Sequence, residues 1–247
     1  MVRTPAPASQ SASFRVSDAR MRYGEAVLFA NLDLELATGE ITCLLGESGI
    51  GKSSLLRLLA GLEPATPPTH IDGPADPPAY MAQQDLLLPW LSVLDNVGLG
   101  ERLRQEAPNT DKALDLLRRV GLADHANMRP AQLSGGMRQR VALARTLMED
   151  RTLVLMDEPF SALDAITRLR LQDLAADLLA KRTVLLVTHD PLEALRLGHR
   201  ILLMAGAPAT LSEFPTPSAS VPRAASEPDV LASHAALLEA LAAGATP

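Results

Sequence analysis

The glycine-rich stretch GESGIGKSS, residues 46–54, follows the apolar run ITCLL and opens the helix-like run KSSLLRLLAGL. It matches the pattern G-x-x-x-x-G-K-[ST], whose glycines let backbone N–H groups curl inward around a phosphate. In this pattern the lysine reaches the β- and γ-phosphates, and the serine hydroxyl ligates Mg²⁺. The sequence therefore predicts a nucleoside triphosphate site made of Gly46, Glu47, Ser48, Gly49, Ile50, Gly51, Lys52, Ser53 and Ser54.

The rest of the chain alternates short apolar strands with helical segments, which predicts an α/β fold with a parallel sheet covered on both faces. The apolar runs ITCLL, TLVLM, TVLLVT and RILLM are the predicted strands, and LDLEL alternates as a half-buried strand does. Helices are predicted after the glycine loop, within residues 92–121, through VALARTLM, from about 164 to 181 and through DPLEALRLG.

Composition and charge exclude several classes of protein. The 247 residues carry a net charge of −6, whereas a general nucleic-acid binder carries an excess of basic residues, so this class is not indicated. The single cysteine, Cys43, lies in an apolar run, so we expect a buried, unreactive thiol in a reducing compartment. The start of the sequence lacks the apolar stretch of a signal peptide, and no run of about 18 apolar residues predicts a membrane span. We therefore expect a cytoplasmic protein.

Two further strands deliver charged residues to their carboxyl ends, where ligands gather in open α/β sheets. TLVLMDEP, residues 152–159, places Asp157 and Glu158 there, and TVLLVTHD, residues 183–190, places His189 there. The acidic pair alone could merely cap the next turn, and a lone histidine is often structural. Beside a phosphate loop, the favoured interpretation is that Asp157 serves the Mg²⁺ site, that Glu158 is the base for an attacking water, and that His189 is catalytic.

A second glycine turn lies far from the first. In QLSGGMRQR, residues 132–140, Ser134 is a good helix N-cap, and Gly135 and Gly136 bare the backbone at the helix start. The motif is either a helix cap only or a second phosphate-binding helix end. The helical residues between 92 and 121 place it on a separate lobe from Gly46. If one chain cannot bring the two together, a second copy arranged head to tail can.

The order and spacing of GESGIGKS, QLSGGMRQR, LVLMDEP, SALD and THD resemble those of ATP-binding cassette (ABC) ATPase subunits, over about residues 14–204. The resemblance implies a RecA-like P-loop NTPase core, an N-terminal antiparallel β subdomain and a helical signature subdomain. It also implies a composite site, in which ATP and Mg²⁺ bound at residues 46–54 of one copy are covered by Ser134, Gly135 and Gly136 of the other.

The same resemblance gives expected roles to four further positions. Tyr23 in MRYG resembles the aromatic residue that stacks on adenine, and Gln83 in MAQQD resembles the glutamine that meets Mg²⁺ and senses the transporter. Asp164 in SALD resembles the residue that links the two sites across the dimer, and His189 resembles the histidine that contacts the γ-phosphate.

The stretch LLLPWLSVLDNV, residues 86–97, resembles the form found in importers of nitrate, sulfonates, taurine and thiamine-precursor pyrimidines. Trp90 is then either plain core or, as we favour, a contact for a helix of a membrane partner. The resemblance implies an ATP-hydrolysing importer subunit that is peripheral on the inner face of the cell membrane. Its implied partners are a second cassette, transmembrane permease subunits and, indirectly, a solute-binding protein, with no nucleic acid.

Two rival functions remain open at this point. A soluble ABC ATPase that acts on a macromolecular complex usually carries two cassettes or a long coiled-coil insertion, and this chain has neither. An ordinary P-loop kinase or GTPase would leave LSGG and His189 unexplained.

We predict a disordered tail at residues 1–12, an ATP-binding domain at 13–205 with its helical subdomain at about 86–135, and a tail at 206–247. The C-terminal tail contains one amphipathic helix, PDVLASHAALLEAL, which either docks on the body, as we favour, or contacts a partner.

Overall fold

The computed structural model describes residues 12–244, so the predicted disorder of the first eleven residues lies outside it, and Ala12 already begins a strand. The chain forms nine strands and eight α-helices within that range. The strands are β1 (Ala12–Tyr23), β2 (Ala26–Ala37), β3 (Ile41–Gly46), β4 (His70–Asp72), β5 (Ala79–Met81), β6 (Leu153–Asp157), β7 (Thr183–Val187), β8 (Arg200–Ala205) and β9 (Thr210–Phe214). The helices are α1 (Lys52–Leu59), α2 (Val93–Val97), α3 (Leu99–Leu103), α4 (Thr110–Arg119), α5 (Gly135–Met148), α6 (Ala165–Leu179), α7 (Pro191–Leu197) and α8 (Pro228–Gly244).

The strands form two sheets. A six-stranded sheet has the order β5-β6-β7-β3-β8-β9, and all its pairs are parallel except β8 with β9. A three-stranded antiparallel sheet has the order β2-β1-β4. This architecture confirms the predicted α/β class with a mostly parallel core and an antiparallel β subdomain.

Both faces of the parallel sheet are buried, as its continuous apolar strands require. Along β3, Ile41, Cys43 and Leu45 pack into a cluster with α4, α5, α6 and α7. The alternate residue Leu44 packs into a second cluster with α1 and the antiparallel sheet. Cys43 is fully buried, which raises the pKa of its thiol and keeps it in the unreactive protonated form.

Helices α2, α3 and α4 lie within the segment proposed as the helical subdomain. Ser92 caps α2 by accepting from the Asp95 N–H at 3.0 Å, and Asn109 caps α4 by accepting from the Lys112 N–H at 3.0 Å. The apolar face of α4 buries Ala113, Leu116 and Leu117 against the main cluster.

None of the helices described between residues 12 and 244 combines the length and the apolar character that a membrane-spanning segment needs.

The predicted boundary at residue 205 needs a correction, because the sheet continues into β9. This edge strand, TLSEF, leaves most of its residues exposed, so it lacks the continuous apolar run that marks a central strand. Beyond it, α8 packs on the body rather than standing free. Val230 and Leu237 are fully buried in the main cluster, and α8 lies against α7.

We predict that Leu237→Ala lowers the free energy of unfolding by about 2–4 kcal/mol, because it leaves a cavity where α8 docks. The neighbouring Leu238 is 48% exposed, so Leu238→Ala is a matched control that should cost less than about 1 kcal/mol. Urea unfolding monitored by circular dichroism measures both changes. Equal effects of the two variants would contradict the docked position of α8.

Candidate functional site

The glycine loop lies between the carboxyl end of β3 and the start of α1. Gly46 has φ +156°, and a Cβ atom there would lie 2.4 Å from the carbonyl oxygen of Met204, so only glycine fits beside β8. Gly51 has φ +113°, a left-handed conformation that glycine adopts without strain, and it directly precedes the first residue of α1. The loop therefore ends on a helix N-terminus, which favours anionic ligands.

Lys52 turns back over this loop. Its Nζ donates to the carbonyl oxygens of Gly46 and Glu47, both at 2.7 Å. Burial lowers the pKa of Lys52, while the carboxylates of Glu158, Asp157 and Glu47 oppose that shift. The ammonium is thus held at the loop by groups that stabilise its charge.

Ser53, in the first turn of α1, meets Asp157 at the carboxyl end of β6, where their side chains are hydrogen-bonded. Burial raises the pKa of Asp157, and the bond to Ser53 lowers it. A hydroxyl and a carboxylate oxygen are hard donors of the kind Mg²⁺ prefers, so this pair fits the ion that the sequence predicts.

Glu158 lies between two other predicted site residues. Its Oε1 is 3.1 Å from His189 Nδ1, and its Oε2 accepts a hydrogen bond from Gln83 Nε2 at 3.2 Å. Three segments, which follow β5, β6 and β7, thus converge on one carboxylate.

The backbone at Glu158 is unusual, since φ is +49° for a residue with a side chain. Such left-handed conformations cost about 1–3 kcal/mol and persist where surrounding contacts enforce them. Here the Glu158 N–H donates to Val187 O at 2.9 Å, and its carbonyl accepts from Gln139 Nε2 at 3.2 Å. These bonds turn the carboxylate toward His189 and Gln83.

The second glycine turn is the start of α5. Ser134 Oγ accepts from the Met137 N–H at 3.2 Å, so the predicted N-cap is present. Gly136 packs on the segment after Glu158, because a Cβ there would lie 3.3 Å from Ala162 O. Within the described part of the chain, no hydrogen bond or ion pair joins residues 134–136 to residues 46–54.

One connection was not predicted from the sequence. Arg138 Nε pairs with Asp85 Oδ2 at 2.9 Å, and Arg145 donates to the carbonyl oxygens of Asp85 and Leu86 at 2.6 and 2.9 Å. Both arginines lie on one face of α5, seven residues apart, and that spacing is the signal that could have indicated a shared target. They tie the segment after Gln83 to the helix that begins with the glycine turn.

The remaining predicted residues lie apart from this cluster of contacts. Tyr23, at the end of β1, is 77% exposed and is available to stack on a ligand. Asp164 caps α6 by accepting from the Thr167 N–H at 3.0 Å. Trp90 is 67% exposed, so it is not part of the core.

Known proteins are similar to this chain in sequence. Residues 29–161 match the family model described as ABC transporter. An uncharacterised ABC transporter ATP-binding protein of Haemophilus influenzae is 48% identical over 85% of this chain and 90% of its own length. The aliphatic sulfonates import ATP-binding protein SsuB 2 of Burkholderia cenocepacia is 42% identical over 90% of this chain and 84% of its own length.

Solved structures show the same fold. A dimeric post-hydrolysis state of the ATP-binding cassette MJ0796, bound to ADP and Pi, has a TM-score of 0.74 and 29% identity, covering 83% of this chain and all of that one. With the phosphate loop, the acidic strand end and the capped glycine turn in place, this chain belongs to the ABC transporter family, as an ATP-hydrolysing, ATP-binding subunit of the importer type.

Proposed function

We propose that this chain energises uptake of a small solute, with residues 46–54 of one copy holding Mg·ATP and Ser134, Gly135 and Gly136 of a second copy covering it. The observation that carries the proposal is the position of Glu158, which contacts both His189 and Gln83 at one sheet edge. In this assignment Tyr23 stacks on adenine, and Asp164 links the two sites across the dimer.

Hydrolysis needs a base beside the γ-phosphate. Glu158 takes a proton from water as the water oxygen attacks the γ-phosphorus, and the bond to the bridging oxygen of ADP breaks. Lys52 and His189 stabilise the charge on the transferred group, in the manner of preorganised donors. Ser53, Asp157 and Gln83 would hold Mg²⁺, which would supply positive charge to the phosphate oxygens.

We predict that Glu158→Gln lowers kcat for ATP hydrolysis by about 10²–10⁴-fold, because an amide cannot accept the proton from water. ATP affinity should persist, since the loop of residues 46–54 is untouched, and ATP should trap a dimer. Phosphate release and size-exclusion chromatography measure these effects. Glu239→Gln, which makes the same change on the exposed side of α8, is the control. Near-normal turnover of Glu158→Gln would overturn the assignment of the base.

The composite site is supported by the observation that, among one chain's described residues, no hydrogen bond or ion pair joins the two glycine turns. Gly135 can be substituted without disturbing its own chain, because the nearest atom to a Cβ there is Arg138 Nη2, 3.9 Å away. Gly135→Asp therefore fits within its own chain. At a helix N-terminus its charge favours the fold, whereas it repels the phosphates of a partner's nucleotide.

We predict that Lys52→Ala and Gly135→Asp are each inactive alone, and that mixing them restores ATP hydrolysis. A mixed dimer carries both lesions in one site and leaves the other site intact, so an equal mixture recovers up to about one quarter of normal activity in a symmetric dimer. The control is an equal mixture of wild type with a single chain that carries both substitutions. Its mixed dimer has no intact site, so subunit exchange should lower the activity, from about one half to about one quarter of normal, instead of raising it from zero. A failure of complementation in stably mixed dimers would contradict the head-to-tail arrangement.

A membrane partner is supported by the exposed indole of Trp90, which lies on the segment before α2. Large exposed aromatic side chains are enriched at protein interfaces. The proposed location is therefore the inner face of the cell membrane, against permease subunits that an extracytoplasmic solute-binding protein serves. Aliphatic sulfonates, which the relatives' names give, are the first solutes to test.

We predict that a polytopic membrane protein co-purifies with this chain from detergent-solubilised membranes of its native source. Trp90→Ala should weaken that association about tenfold or more, as expected for an aromatic anchor at an interface. Leu62→Ala, which trims an exposed side chain just after α1, is the control. Capture of a ribosomal or other soluble partner instead would favour the alternative of a non-transport ABC ATPase.

A further inference from the structure

Helix α7 begins two residues after His189 and is only seven residues long. A helix this short is not stable alone and needs support at its ends and along its sides. Its first turn is capped by Asp190, whose Oδ1 accepts from the Leu192 and Glu193 N–H groups at 2.9 and 3.3 Å. The orientation of His189 therefore depends on what holds α7.

The other end of α7 is held by a residue from the C-terminal segment. Arg223 is buried, and its Nη1 donates to the carbonyl oxygens of Leu195 and Gly198, both at 2.8 Å. Its backbone N–H donates to Arg196 O at 2.9 Å, and its carbonyl oxygen accepts from Arg196 Nε at 3.0 Å. A guanidinium thus satisfies carbonyls at the negative end of a helix, where a cation is favourable.

The position of Arg223 is itself fixed by the tail. Its Nε donates to Ala219 O at 2.9 Å, so the tail folds back on the guanidinium. A few residues later α8 begins, and its Val230 and Leu237 are anchored in the main cluster. The bonds between Arg223 and α7 therefore depend on the docked tail.

The contact extends from α7 to α6. Arg196 donates to Gln172 Oε1, and its Nη2 pairs with Asp173 Oδ1 at 2.7 Å. Gln172 Nε2 in turn donates to Glu193 Oε2 at 3.2 Å, and burial raises the pKa of Glu193 to about 8. A neutral carboxyl at this point avoids a buried charge between the helices. Helix α6 begins at its cap Asp164, and the cap of α7 follows His189, so each helix starts at or next to a proposed site residue.

We propose that Arg223 is a positioning residue for His189, holding α7 so that the imidazole stays against Glu158. The proposal rests on the role given to His189 above. Arg223 is 34 residues downstream of His189 and touches neither the glycine loop nor Glu158 in any described bond, so it acts on the orientation of the histidine and not on nucleotide binding.

The test compares Arg223→Ala, Arg223→Lys and the control Leu231→Ala, an exposed residue of α8. We expect Arg223→Ala to lower kcat about tenfold while KM for ATP and the affinity for ATP change less than about twofold. Lysine can reach one or both carbonyls of α7 but lacks the second arm of the guanidinium, so Arg223→Lys should recover part of kcat. Leu231→Ala should match wild type.

Two readouts separate positioning from a loss of folded protein. The imidazole NMR signals of His189, assigned with the His189→Ala variant, should shift or broaden in Arg223→Ala and stay unchanged in Leu231→Ala. In the His189→Ala background, Arg223→Ala should lower single-turnover rates no further, because the group it positions is gone. The proposal would be overturned if the imidazole signals of His189 were unchanged in Arg223→Ala. It would also be overturned if Arg223→Ala lowered the single-turnover rate by the same factor with and without His189. If His189→Ala alone kept full kcat, the role of His189 would fall instead.

Discussion

The direction shared by the central strands is the constraint on which the rest of this structure depends. In the parallel ladder Asp157 pairs with Val187, and Val187 pairs with Leu44, so three strands end in one row. The residues that follow are the glycine loop, Glu158 and His189. Because parallel strands end at the same edge, segments more than 100 residues apart in the sequence meet there without any further device. The burial of both sheet faces then makes that edge rigid.

Helix α5 connects this edge to the rest of the molecule. Its first turn carries the second glycine pair, Gln139 bonds the carbonyl oxygens of Glu158 and Pro159, and Arg138 and Arg145 hold the segment after Gln83. One rigid helix therefore relates the surface proposed to cover a partner's nucleotide, the carboxylate proposed as base and the segment that leads to Trp90. Such a strut offers a physical route by which events at a permease could alter the position of Gln83 relative to Glu158.

The C-terminal segment supports the helix that follows His189. It adds the antiparallel strand β9, places Arg223 at the end of α7 and buries α8 against that helix. A polar contact network among Gln172, Glu193 and Arg196 then ties α7 to α6. Buried polar groups of this kind are costly unless their partners are present, so they fix one arrangement of the two helices.

The sequence by itself determined the α/β class, the order of the central strands and the helices between them, the glycine loop and the acidic strand end, because each depends on local spacing of apolar residues, glycines and caps. Ser134, Asp164 and Asp190 could be placed at helix starts for the same reason. Only the tertiary structure decided that Glu158 contacts both Gln83 and His189, that Arg138 and Arg145 share Asp85, and that Arg223 closes α7. The contacts between side chains join residues that are 31 to 75 positions apart in the chain. The others are made to backbone carbonyl oxygens, which every residue carries and which therefore leave no signal in the sequence. The edge strand β9 was not predicted, because most of its side chains are exposed and it has no apolar run. It is held in the sheet by its backbone hydrogen bonds to β8.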